Sequence, residues 1–277
     1  MMPKKNSCSR AEDARPKTLA EHREYLHEIV RLKVWYLWCR LHTYPEEDLR
    51  FVLRERVDIY RKSDLNPEGM NPRAFHFESP GWLALEDELQ ALWESAKGDA
   101  ARFEDEGFRI FQPTVDARCE RDFSERPYVL DYKCGSLTYD DPMPGTPQRV
   151  GFHIANANAP GSIFHPPSYL ADCLRNVMDG AARDFGATEV QTGTWLNGHP
   201  RWLAYFPACW RERLSPVHDD VRWNFSWWGQ FLTARGTFNE KLAAQLRGTG
   251  LFPMPPRESW CSFDELRAHL DAMPMNC

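Results

Sequence analysis

The 277-residue chain lacks the short signatures that mark many kinds of catalysis. It contains no G-x-x-x-x-G-K-[ST] loop, no G-x-G-x-x-G turn, no H-E-x-x-H pair and no G-x-S-x-G elbow. Those absences argue against nucleotide-driven, dinucleotide-dependent, zinc-protease and serine-hydrolase chemistry. An excess of positive charge is also missing. Lysine and arginine number 34 against 40 acidic residues, a formal net charge of −6, so there is no general attraction for nucleic acid. The eight cysteines (Cys8, Cys39, Cys119, Cys134, Cys173, Cys209, Cys261 and Cys277) are scattered, with no C-x-x-C spacing. This excludes a zinc ribbon or thioredoxin-type motif and fits free thiols in a reducing compartment. No apolar run approaches the roughly 20 residues of a membrane span, and the N-terminal MMPKKNSCSRAEDARPK has no apolar signal core. The expectation is a cytoplasmic protein acting on a small molecule, with neither nucleic acid nor membrane as partner.

Aromatic residues and proline are abundant instead. Seven of the eleven tryptophans fall between Trp195 and Trp260, enough for a heavily aromatic core or an aromatic-walled pocket. Acidic charge is concentrated from Leu85 to Arg126, where twelve acidic residues face six basic ones. Such a run reads as a solvated helical surface and loop.

Three regions are expected: a disordered tail over 1–17, a helical region over 18–125 and an α/β domain over 126–277. Thr18 and Glu21 have capping-box spacing and open a helix whose second half is apolar on more than one face. A second helix is predicted to start near Pro45. Ser79-Pro80 opens a third, with Gly98 as its stop. Arg126–Tyr139 and Arg149–Ala157 read as antiparallel strands around a turn-rich loop, Asp140–Gln148. The amphipathic segment Ser168–Phe185 follows, with Gly186 as a left-handed terminator. Thr188–Asn197 is a strand, His199–Arg213 an aromatic helical segment and Val221–Trp228 a further strand. Asn239–Leu246 is a short helix, and Ser262 with Glu265 forms another capping box.

The richest stretch is Arg149–Arg213, a β–α–β unit whose strands end in polar and aromatic residues. His153 lies within an apolar strand beside Gly151 and Ala155, and is the candidate general base. Tyr205 is the candidate acid, with Tyr169 as its substitute. Asn156 and Asn197 would orient substrate, and Trp195 and Trp202 would wall the pocket. Gly161 and Ser162 precede a helix N-terminus, where unpaired N–H groups can hold phosphate, although two prolines there remove donors. His165, His199 and His218 could join His153 around iron or zinc. No pair has helix-borne ligand spacing, and no metal ligand is assigned.

Leu130–Tyr139 (LDYKCGSLTY), Val150–Asn156 (VGFHIAN) and Thr192–Asn197 (TGTWLN) with Phe206-Pro207 carry a resemblance. Over 128–210 the chain resembles bacterial GNAT-like acyltransferase-domain proteins. That resemblance implies an α+β fold, with a helical N-terminal region packed on a GNAT-like mixed β-sheet flanked by helices. It implies two parallel strands, 149–157 and 188–197, splayed around an acyl-CoA or other acyl thioester. The amides of Ala155 and Ala157 would polarise the thioester carbonyl, and Gly161-Ser162 would lie near the pyrophosphate. In place of the Arg/Gln-x-x-Gly-x-Gly/Ala signature, Asn158–Pro167 carries one glycine and three prolines. Acyl transfer to a small amine or hydroxyl is the expected function. The alternatives are a metal-dependent (non-heme iron or zinc) enzyme of small-molecule metabolism and a non-catalytic GNAT-like binding module.

Overall fold

A computed structural model describes residues 18–67, 75–124, 134–218 and 225–274. The expected tail over 1–17, the start of the 126–139 strand and residues 221–224 lie outside the described residues. The fold is α+β, with nine α-helices and one four-stranded mixed sheet among the described residues. None of those helices is long and apolar enough to cross a membrane.

Helix α1 (Leu19–Thr43) starts at the expected capping box. Thr18 Oγ1 accepts from Glu21 N at 3.1 Å, and the Glu21 carboxylate accepts from Thr18 N at 2.8 Å. Leu26, Ile29, Val30, Leu32, Val34 and Leu37 are buried along it, on several faces, because the helix is surrounded. Helix α2 (Leu49–Glu55) begins later than Pro45 suggested. Asp48 accepts from Phe51 N at 2.9 Å and sets the start, since a capping carboxylate satisfies an end amide that proline only tolerates. Helix α3 (Pro80–Ala96) buries Trp82, Leu89 and Leu92.

Helix α4 (Ala100–Ser124) replaces the loop expected within the acidic stretch. Its inner face buries Phe103, Phe108, Phe111, Val115 and Cys119. Basic groups from other elements answer its acidic ones: Arg31 with Asp105 (3.1 Å), Arg23 with Glu120 (3.1 Å), and Arg247 with Glu104 (2.7 and 2.8 Å). The local charge excess is therefore balanced by partners distant in sequence.

The sheet runs β1 (Leu137–Met143), β2 (Thr146–Ile154), β3 (Glu189–Thr194), β4 (Arg257–Ser262) in that spatial order. The expected hairpin exists, shifted along the chain. Asp140–Pro142, read as loop, belongs to β1, and the turn tightens to Pro144-Gly145, with Gly145 at φ 83°. Glycine suits that turn because it alone enters the left-handed region without strain. Helix α5 (Pro167–Phe185) crosses from β2 to β3, which pair in parallel, and Gly186 ends it at φ 65°. Strand β3 stops at Thr194, short of Asn197, because Thr194 Oγ1 accepts from Leu196 N and opens a 3-10 turn over Trp195–Gly198.

The aromatic segment divides into α6 (Pro200–Leu203) and α7 (Ala208–Glu212) around Pro207. Phe225–Phe231 is a 3-10 helix, contrary to the strand expected over Val221–Trp228. Asn239 caps α8 (Glu240–Thr249), and the Ser262–Glu265 capping box opens α9 (Phe263–Ala272).

Two hydrophobic clusters organise the chain. The helical cluster joins α1–α4 to Trp228, Phe231, Ala243 and Leu246. The sheet cluster joins β1–β4 to α5, Trp202, Phe206, Trp210 and α9. Residues around 228–246 thus pack with the helical region, although they fall inside the expected 126–277 unit.

Candidate functional site

Strands β2 and β3 pair at Arg149↔Glu189, Val150↔Val190 and Gly151↔Gln191, and the parallel ladder ends there. Both strands continue, and each keeps its outer neighbour: Ile154 pairs with Leu137, and Thr194 with Arg257. Beyond the ladder, a side chain makes a link: Thr192 Oγ1 donates to the Phe152 carbonyl at 2.9 Å. Backbone pairing between the two parallel strands therefore ends short of their carboxyl ends, the side on which crossover folds commonly bind ligands.

His153 stands on β2 beyond that ladder. Alternation along β2 buries Val150 and Phe152 and turns Gly151 and His153 to the open face of the sheet. His153 Nε2 lies 2.6 Å from Asp140 Oδ2, with side-chain exposures of 64% and 51%. Asp140 reaches it where the β1–β2 register shifts. A Cβ on Gly151 would sit 3.3 Å from the same carboxylate oxygen, so the small residue keeps this approach open. Asp140 raises the His153 pKa above the ordinary 6.5, through the hydrogen bond first and charge second, against desolvation. With Nε2–H donated to Asp140, Nδ1 is the nitrogen able to take a proton. An open depression lined by Tyr139, Asp140, Asp141, Pro142, Pro144 and Gly151 lies beside this pair.

The other expected residues divide between engaged and buried. Ala155 N donates to Ser136 O at 2.9 Å, and Ala157 N donates to Ser136 Oγ at 3.1 Å. Ser136 Oγ also shares a 2.9 Å hydrogen bond with Tyr169 OH. The two amides expected at a thioester carbonyl thus hold β2 to β1. Asn156 closes the following loop, accepting from Asn158 N (3.1 Å) and donating to Gly161 O (2.8 Å). Gly161 N donates to Asn158 O at 2.7 Å, and Ser162 accepts from Asn158 Nδ2 at 3.0 Å. Helix α5 starts on Pro166-Pro167 without a side-chain cap, and Tyr205 OH donates to Pro167 O at 3.0 Å. Burial pushes the Tyr205 pKa up.

Asn197 is 1% exposed and uses both ends of its amide. Nδ2 donates to Thr192 O and Arg257 O, while Oδ1 accepts from Trp202 Nε1 and Trp210 Nε1, all within 2.8–3.0 Å. An amide offers two donors and two acceptor lone pairs, so Asn197 has nothing left for a substrate. Trp202 is fully buried, and Trp195 is half-buried. Asn197 and Trp202 hold the sheet layer together instead of lining an opening.

Sequence reasoning missed Asp140, because Asp-Asp-Pro resembles a turn. It also passed over Phe164 and Arg201, and considered His199 only as a metal ligand. These three cluster at the end of β3, with Phe164 stacked on His199 at 5.3 Å and Arg201 5.0 Å above the Phe164 ring. Among the described residues, no three metal-donating side chains come together, and His153 meets Asp140 instead of His165. Compared with known families, curated proteins and solved structures, the chain gives no match.

Proposed function

We propose that this protein transfers an acyl group from a thioester donor to a small amine or hydroxyl acceptor. The reading rests on one observation: backbone pairing between the parallel strands ends at Gly151 and Gln191, and β2 beyond that point carries His153 bonded to Asp140. The donor's arm would enter between β2 and β3, as the GNAT resemblance implies. Nδ1 of His153 would take the proton from the attacking acceptor, and Asp140 would stabilise the resulting imidazolium. The thiolate would leave with a proton from Tyr169, whose partner Ser136 Oγ can exchange roles within the hydrogen bond. Tyr205 donates to a backbone carbonyl and so suits anchoring of α5 better.

A non-catalytic binding module is the second reading, favoured by the engagement of the Ala155 and Ala157 amides. Thiol release from acyl-CoA and shorter acyl thioesters, with a panel of amines and alcohols, separates the two. Saturable release that depends on His153 supports transfer. Stabilisation of the fold by a thioester, without any release, supports the binding module.

A further inference from the structure

The cluster formed by Phe164, Trp195, His199 and Arg201 belongs to no part of the mechanism above. It joins the turn that follows β3 to the loop leaving β2. Arg201 is exposed and makes no ion pair or side-chain hydrogen bond among the described residues. Most of the described arginines do have a carboxylate: Arg31, Arg54, Arg149, Arg213 and Arg247 all have one within 3.1 Å. Arg201 lies over Phe164, and Phe164 stacks on His199 with an interplanar angle of 15°. Trp195 meets His199 edge-on at 6.5 Å.

The His199 ring is oriented by its own backbone. Nδ1 accepts from Arg201 N at 3.1 Å, which leaves Nε2 to carry the hydrogen. Burial first, and then Arg201, lower the His199 pKa, so the ring is a neutral donor at physiological pH. A fixed N–H donor and a guanidinium, both set against aromatic rings, match an oxyanion attached to an apolar body.

We infer that Arg201 and the Nε2–H of His199 form a binding site for the carboxylate or phosphate of a small molecule whose apolar part rests on Trp195. This site is independent of acyl transfer and of His153.

Benzoate and phenyl phosphate are suitable probes, titrated into the full chain by calorimetry and followed through the His199 ring signals by NMR. At least one should bind saturably and raise the His199 pKa. Arg201→Gln should weaken that binding about tenfold, and Arg201→Lys should restore part of it. His153→Gln should leave it unchanged. Tighter benzoate binding identifies a carboxylate ligand, and tighter phenyl phosphate binding a phosphorylated one. Binding by neither probe, or binding indifferent to Arg201→Gln in a variant of unchanged melting temperature, overturns the inference. If acyl transfer is absent but Arg201-dependent binding persists, the catalytic reading fails and this site stands.

Discussion

The helical cluster and the sheet layer treat charge in opposite ways. In the helical cluster, polar groups are sealed inside. Glu86 is fully buried and accepts from Arg54 at 2.6 and 2.7 Å and from Trp82 Nε1 at 2.6 Å. Lys33 is also fully buried, donating to Asp58 O at 2.5 Å, and Asp58 accepts from Arg61 at 2.6 Å. In the sheet layer, the charges of β2 and β3 stand on the open face, while the inner face is apolar apart from residues such as Asn197, Thr192 and Ser259. Buried pairs fix which helices meet, at the cost of desolvation. Exposed groups such as His153 do little for stability and remain free to meet a ligand. The same residue types thus serve architecture in one region and stand exposed to solvent in the other.

The largest effect should come from breaking a sealed pair. Arg54→Leu leaves the fully buried Glu86 carboxylate without its two-pronged partner and should cost about 3 to 5 kcal/mol in urea unfolding, with turnover per folded molecule unaffected. Asn197→Leu should cost about 3 kcal/mol, because two indole N–H groups and two carbonyls lose their partner together. If Asn197 orients substrate instead, stability would hold and KM would rise.

Lys33 gives a pH test of the sealed region. Burial pushes its pKa down to about 7 from 10.5, so between those values the unfolded chain binds the proton and the folded chain does not. Stability therefore rises with pH across that window, and Lys33→Met should flatten the rise in melting curves. The smallest structural effect belongs to the open face. Asp140→Asn should barely alter stability, but it should remove the raised His153 pKa. The acid limb of the pH–rate profile would then move to lower pH, since less alkaline solution suffices to free Nδ1.

Features built by local chemistry were legible in the sequence. Both capping boxes, the αL glycine at 186 and the α5 stripe each depend on residues within a few positions. The parallel pairing of β2 and β3 followed from the helix between them. Features built by distant partners were hidden. Strand β4 reads as Arg-Glu-Ser-Trp-Cys-Ser, with only Ser259 and Cys261 buried, and Trp260 is covered by Arg149 (3.9 Å) and Arg213 (4.1 Å) from elsewhere. Helix α4 looked like an acidic surface because its counter-charges lie on α1 and α8. Of the candidate site, His153 and its face were readable from alternation. Its partner Asp140 was not, because the register shift that brings it near is a property of the paired strands.

The most direct measurement compares His153→Ala with the unaltered protein in two assays on the same sample: thiol release from an acyl thioester, and the urea midpoint. The account expects thiol release to fall by about a hundredfold or more while the midpoint stays in place. Full release in the variant would contradict it, and a collapsed midpoint would return His153 to a structural role.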